Sequence, residues 1–261
     1  MVLRPAVSLI LPAYNERASI ARTTAEAKSY FASRGLSHEI IVAADGNDGT
    51  RELVAQMAGS DPTLKVLGSA ERRGKGFGIR QAVQLANGQI IGFADADNKT
   101  PIDEFDHFRP LLEGGYDLVI GSRALAESRI EKPQKLYRRI GSWGFRMVLK
   151  SILSLPGIKD TQCGFKFFRR EVALDLFRRQ RIDGYMFDVE ILYLAGRAGY
   201  RIGQVPVRWR DDGDSRLVLL RGNIRNVLDV LKIRFTTYPP QGTVVPATGW
   251  VPPAKERAKA A

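Results

Sequence analysis

Gln89-Ile90-Ile91-Gly92-Phe93-Ala94-Asp95-Ala96-Asp97-Asn98-Lys99-Thr100-Pro101 decides how this chain is read. Its apolar half has the length of a buried strand. Two carboxylates at i and i+2 then project to the same side at that strand's carboxyl end. Two acids so placed call for a cation. Mg²⁺ or Mn²⁺ takes oxygen ligands and commonly uses one or two carboxylates while substrate phosphates fill the remaining positions. The competing reading is that Asp95 and Asp97 cap the helix expected from Ile102. A cap needs one acid, whereas here two flank a small alanine, and Asn98 and Thr100 stand closer to the helix.

Working outward, apolar strands alternate with helical composition. Val7 to Leu11 reads as a strand and Ile20 to Phe31 as a helix. Glu39 to Ala44 reads as a second strand, ending in Asp45-Gly46-Asn47-Asp48-Gly49-Thr50, with a helix from Thr50 to Met57. A short strand, Leu64 to Leu67, precedes the flexible basic loop Arg72-Arg73-Gly74-Lys75-Gly76-Phe77-Gly78, and a helix is expected over Ile79 to Ala86. After the acid pair come a helix over 102–112, a strand over Asp117 to Gly121, a strand within 160–168, helices to Arg179 and over Phe187 to Ala198, and a strand over Ile202 to Trp209. This alternation predicts an α/β fold with a mainly parallel central sheet covered on both faces. Ligands of such sheets bind beyond the carboxyl ends of the strands, where the acid pair and three other loops lie.

The chain has 261 residues and a formal net charge of +12, which favours an anionic partner: phosphate esters, an acidic membrane surface or nucleic acid. No helix-turn-helix, zinc or RNP signature interleaves the basic residues, so nucleic acid is not expected. A lone cysteine, Cys163, leaves no intramolecular disulfide and suits a reducing compartment. With no signal-peptide pattern and no long apolar run, the expectation is a cytoplasmic protein that does not span a bilayer. Two basic amphipathic helices are expected near 135–155 and 216–235. In the first, Leu136, Ile140, Trp143, Met147 and Ile152 recur among Arg138, Arg139, Arg146 and Lys150. Such helices suit a headgroup interface, or else pack an apolar stripe on the sheet with arginines outside. Residues 236–261, rich in proline and ending in a mixed-charge run, read as a disordered tail after a domain of residues 1–235.

Pro12-Ala13-Tyr14-Asn15-Glu16, Asp45 to Thr50, Arg73-Gly74-Lys75-Gly76 and Asp95-Ala96-Asp97 occur in this order at successive strand ends. The ordered set resembles the inverting family-2 glycosyltransferases with a GT-A fold. Gly121-Ser122-Arg123, Asp160 to Lys166, Phe187-Asp188-Val189-Glu190 and the segment from Trp209 to Arg216 are similar to the dolichyl-phosphate β-glucosyltransferase branch, kin of dolichol-phosphate mannose synthases. The resemblance implies transfer of a hexose, glucose from UDP-glucose foremost, from a nucleotide sugar to a polyprenyl phosphate. The alternatives are mannose from GDP-mannose, or a soluble or polysaccharide hydroxyl acceptor. It implies that Pro12, Tyr14, Glu16 and Asp45 surround the nucleoside and that Lys75 lies near the diphosphate. Asp95 and Asp97 would hold the metal, and Arg123 would meet the transferring or acceptor phosphate. Asp188, or Glu190, is the candidate base if a hydroxyl acceptor needs one. The chain departs from that pattern in two places: Ala44 precedes Asp45 where many relatives carry a second acid, and Lys99 stands where mannose synthases carry a metal-assisting glutamine. The implied membrane association is peripheral.

Overall fold

The structure, a computed structural model, describes residues 4–131, 147, 149, 151–210 and 219–242. Its centre is a seven-stranded sheet. The first half supplies β1 (Val7–Tyr14), β2 (His38–Asp45), β3 (Leu64–Leu67) and β4 (Ile90–Ala94), with helices α1 (Ile20–Ser33), α2 (Thr50–Ala58) and α3 (Lys75–Leu85) between them. A 3-10 turn (Ile102–Glu104) leads into α4 (Phe105–Glu113), and β5 (Leu118–Ser122) follows. Next come β6 (Arg129–Ile130), β7 (Phe165–Arg169), α5 (Arg170–Arg179), α6 (Phe187–Arg197), β8 (Ile202–Pro206), β9 (Arg208–Trp209) and α7 (Leu219–Phe235).

The strand order is β3-β2-β1-β4-β7-β5-β8. Every neighbouring pair is parallel except those of β7, which runs antiparallel between β4 and β5. Chain direction across the sheet reverses between β1 and β4, so the crevice of a doubly wound sheet opens beside the acid pair. Period-two alternation divides the core into two layers. Ile10, Ile41, Phe93, Ile120 and Phe168 face α3, α5 and α6, whereas Leu9, Val42, Val119, Phe165 and Phe167 face α1 and α4. Both layers are buried, which is why the strands read as continuous apolar runs rather than alternating ones.

Three expectations change. The helix expected from Ile79 begins at Lys75. Glycine is a weak helix former, so Gly76 and Gly78 look like loop. A Cβ on Gly76, however, would lie 2.6 Å from the Cβ of Phe187 and 2.7 Å from the Ile182 carbonyl, so close packing against α6 requires glycine there. The single strand expected over Ile202 to Trp209 is two: β8 completes the main sheet, and β9 leaves it to pair in parallel with β6. Arg129 and Ile130, for which the sequence suggested no strand, are that partner strand.

The third change concerns the tail. Its first residues, 236–242, pack back on the domain: the Tyr238 hydroxyl donates to Glu190 at 2.9 Å, its ring sits against Tyr193, and the Gly242 N–H donates to Asp175 at 2.8 Å. The remainder, 243–261, lies outside the described residues. In α7, Val230 and Ile233 are buried while Val227, Leu228, Leu231 and Phe235 are exposed, as the headgroup-facing alternative for a basic helix requires. Of the helix expected near 135–155, Leu149 and Leu153 are core residues and Met147 is exposed; Trp143 and the basic residues named with it lie outside the described residues.

Candidate active site

Each strand of the crevice delivers one piece of the site. Tyr14 and Asp45 are register partners at the carboxyl ends of β1 and β2, so adjacent backbones hold them side by side. Pro12, two residues back on β1, pairs with Ala43. Asp45 accepts the backbone N–H groups of Ser69 (3.2 Å) and Arg73 (2.8 Å), fixing the loop that follows β3. That loop lays the Arg72 guanidinium over the Tyr14 ring, 4.2 Å from its centroid, and ties it to the Tyr185 hydroxyl at 3.1 Å. Glu16 receives the Ser19 hydroxyl at 2.9 Å while its own N–H donates to Thr50. Asn15, between them, adopts φ +55° and buries a side-chain oxygen that has no hydrogen-bond partner. Asn15 carried no role in the sequence reading.

Asp95 and Asp97 follow β4 and are both about one-third exposed, open to the crevice. Neither serves as a helix cap. Each carries a lysine: Lys75 Nζ lies 2.6 Å from Asp95 Oδ1, and Lys99 Nζ lies 3.0 Å from Asp97 Oδ2. Lys75 is therefore less mobile than a glycine-loop lysine would be. Burial alone would lower its pKa, but the charges of Asp95 and Asp188 reverse this and hold it above the ordinary lysine value. Lys99 has no lone pair to give a metal; at this position it competes for Asp97.

Asp95 is also pressed by β7. Its N–H donates to the Gly164 carbonyl at 3.1 Å, and a Cβ on Gly164 would fall 2.1 Å from Asp95 Oδ2. Gly164→Ala is accordingly expected to cost about 1–3 kcal/mol in denaturant unfolding, the range for overpacking. Because the group displaced is the carboxylate, titration with Mn²⁺ should show weakened cation binding as well. Unchanged cation affinity in a destabilised variant would mean that strain relaxes away from Asp95.

Arg123, just beyond β5, is fastened to Asp160 by a two-pronged contact: Nε to Oδ2 at 2.7 Å and Nη2 to Oδ1 at 2.9 Å, with the Arg123 N–H on Oδ2 at 3.0 Å. Burial would raise the Asp160 pKa, but the guanidinium outweighs it and brings it to about 2. Trp209 covers the same guanidinium at 5.4 Å. The fork edge is thus spent on Asp160, so Arg123 would offer a phosphate its charge and its other N–H groups rather than that bidentate edge. Asp160 also caps the turn that follows it, since Oδ1 accepts the Gln162 N–H.

Asp188 and Glu190 are placed differently from a solvent-facing base. Asp188 is 4% exposed, and its Oδ1 lies 2.6 Å from the ammonium of Lys166, which is 0% exposed. Burial raises the Asp188 pKa; Lys166 and Lys75 oppose it. Glu190 accepts the N–H groups of Arg181 and Ile182, both at 2.8 Å, and thereby anchors the 180–186 loop against α3. Lys166 went unremarked in the sequence, although a lysine inside the apolar run Phe165-Lys166-Phe167-Phe168 is a signal: a charge in a buried strand must be paired.

The comparisons with known proteins agree with this geometry. The model of "Glycosyl transferase family 2" matches residues 8–177. The chain belongs to glycosyltransferase family 2. Within it the chain falls in the branch of the dolichyl-phosphate β-glucosyltransferases. It is 33% identical over 237 residues to one from Trichomonas vaginalis, covering 87% of this chain and 70% of that one. To the human protein of that name it is 32% identical over 246 residues, covering 87% and 74%. Among solved structures, glucosyl-3-phosphoglycerate synthase of Mycobacterium tuberculosis, crystallised with Mn²⁺, UDP-glucose and glycerol 3-phosphate, superposes with a TM-score of 0.66 at 24% identity, covering 88% of this chain and 80% of that one. The GT-A fold expected from the sequence is the fold observed.

Proposed function

We propose that this family-2 enzyme transfers glucose from UDP-glucose to a polyprenyl, dolichyl-type phosphate with inversion at the anomeric carbon. One observation carries the reading: the Asp95/Asp97 pair opens into the crevice between the Tyr14–Asp45 edge and a wall of fixed cations, Lys75, Lys99 and Arg123. The names of the relatives support the sugar and the acceptor class. The residues fit a divalent cation. Among the described residues no cluster of three His, Cys, Asp or Glu could enclose one, but two partly exposed carboxylates with diphosphate and water match the usual shell of Mg²⁺ or Mn²⁺. Bound there, the ion would neutralise charge on the departing nucleoside diphosphate.

The side chains do the remainder. Tyr14, Glu16 and Asp45, with Pro12 shaping the end of β1, frame the nucleoside, and Lys75 pairs with the diphosphate. Arg123, held rigid by Asp160, brings its charge to the attacking phosphate. That phosphate is largely a dianion at neutral pH, its second pKa being about 6. Its oxygen forms the bond to the anomeric carbon as the bond to the diphosphate breaks, and the electron pair leaves on the diphosphate oxygen. No proton has to be removed, so an enclosed Asp188 is compatible with this acceptor and poorly suited to activating a hydroxyl. The test is incubation with UDP-glucose, GDP-mannose and short polyprenyl phosphates, with and without Mn²⁺, and product identification by mass. Glucosyl polyprenyl phosphate is expected; transfer only to soluble hydroxyls, or mannosyl product alone, would replace the proposal.

A polyprenyl acceptor sits in a bilayer, and among the described residues no helix is long and apolar enough to cross one. The exposed face of α7 supplies peripheral contact: Leu228 and Phe235 are 60% and 77% exposed beside Arg225, Lys232 and Arg234. Basic residues near an anionic surface contribute about 1 kcal/mol each, less in salt. Cosedimentation with anionic vesicles, weak binding to neutral ones and loss at high salt are expected. Burying Leu228 and Phe235 would contribute roughly 1.5–3 kcal/mol each at most, so Leu228→Glu with Phe235→Glu should cut vesicle binding more than about tenfold. A folded variant that still binds would move the contact off α7.

A further inference from the structure

Lys166 is the second residue of β7, in register with Phe93 of β4 and Ile120 of β5, and is completely buried. Its ammonium donates to the Cys163 carbonyl and to Asp188 Oδ1, both at 2.6 Å. Such a pair is costly to desolvate, and apolar residues of the same volume would fill the site without that cost. Packing alone therefore does not account for it. The neighbourhood does. Lys75 and Lys166 both approach the Phe93 ring, with Nζ at 6.0 and 5.5 Å from its centroid, and Lys75 lies 5.9 Å from the ring of Phe187, the residue before Asp188. Asp95, Lys75, Asp188 and Lys166 form a row of alternating charge running from the open crevice into the core, and the Asp188 charge acts on both lysines.

We propose that Lys166 is a positioning residue of the transfer site: by occupying the Asp188 carboxylate it leaves the Lys75 ammonium to Asp95 and to the donor diphosphate. Without Lys166, a buried carboxylate remains beside Lys75 and becomes its partner, because an unpaired buried charge takes the nearest opposite one. Lys75 then turns inward and the diphosphate loses its cation. The inference rests on the reading that Lys75 meets that diphosphate.

The test is UDP binding in the presence of Mn²⁺, by calorimetry on the full-length protein, with donor KM and kcat measured in parallel. Lys166→Met should weaken UDP binding at least tenfold and raise the donor KM. Lys166→Met combined with Asp188→Asn removes the competing carboxylate and should return UDP affinity to within threefold of the unmodified protein. A role in packing alone predicts the opposite, a double variant no better than the single one, and that result would overturn the proposal. If Lys166→Met does not fold, Asp188→Asn decides: UDP affinity and turnover within threefold of normal support it, whereas normal affinity with turnover lost shows that Asp188 acts on the reacting groups and sinks it. If the unmodified protein binds no UDP at all, the donor reading itself falls, and this inference with it.

Discussion

Asp97→Asn keeps the fold and loses most turnover. The side chain is one-third exposed at the end of β4 and bears no core load, so thermal unfolding should move by no more than a degree or two from loss of its pairing with Lys99. The neutral amide, however, is a poor ligand for a hard cation. Loss of an outer partner of a metal ligand already costs roughly 10–100-fold, so loss of a direct ligand should exceed that. The assay is steady-state transfer at saturating donor with Mn²⁺ varied. Turnover should be restored in part by excess Mn²⁺ if affinity alone has fallen. Full activity in the variant, or equal activity of the unmodified enzyme in excess chelator, removes the divalent cation from the reaction.

Asp160→Asn produces the largest stability loss. Arg123 remains a cation under all conditions, and both prongs of its contact with Asp160 are formed where burial is nearly complete on the acid's side. Removing one partner of a buried pair costs about 3–5 kcal/mol; the Arg123 side chain keeps 27% exposure, which places the expectation near the lower figure. The pH dependence follows from the depressed acid. With a folded pKa of about 2 against an ordinary 3.8, Asp160 stabilises the fold above the unfolded value, and this contribution is lost as pH falls from about 4 toward 2. The shift corresponds to roughly 2 kcal/mol. Denaturant titrations of both proteins should therefore diverge at pH 7 and converge at pH 2–3. Because the fork also fixes Arg123, the variant should lose affinity for the acceptor phosphate more than for UDP. An acceptor KM left unchanged would confine the pair to a structural role.

Much of this was present in the residue order. The strand-length apolar runs ending in Tyr14, Asp45 and Asp97 specified a mainly parallel sheet and the edge on which ligands bind. That inference works because buried parallel strands must be apolar throughout, and because each loop's polar residues are contiguous with the strand that delivers them. That Asp95 and Asp97 follow β4 was legible too, but the strand alternation expected of them is not found: they lie in the turn after β4, where the Asn98 N–H donates to the Asp95 carbonyl.

What the sequence could not express were contacts made across the sheet. That Lys75 opens a helix depends on Phe187 and Ile182 pressing against Gly76, over a hundred residues away. That the Arg123 fork is turned to Asp160, that Gly164 abuts Asp95, and that Asp188 is sealed under Lys166 all depend on β7 entering antiparallel between β4 and β5. The face of α7 that packs was likewise settled by Val230 and Ile233 meeting the core. Local order fixes which residues reach the crevice. Which of them face solvent, and which are neutralised by a partner, is decided only when distant segments close on one another, because pairing of charges in a low-dielectric interior depends on distance in space and not along the chain.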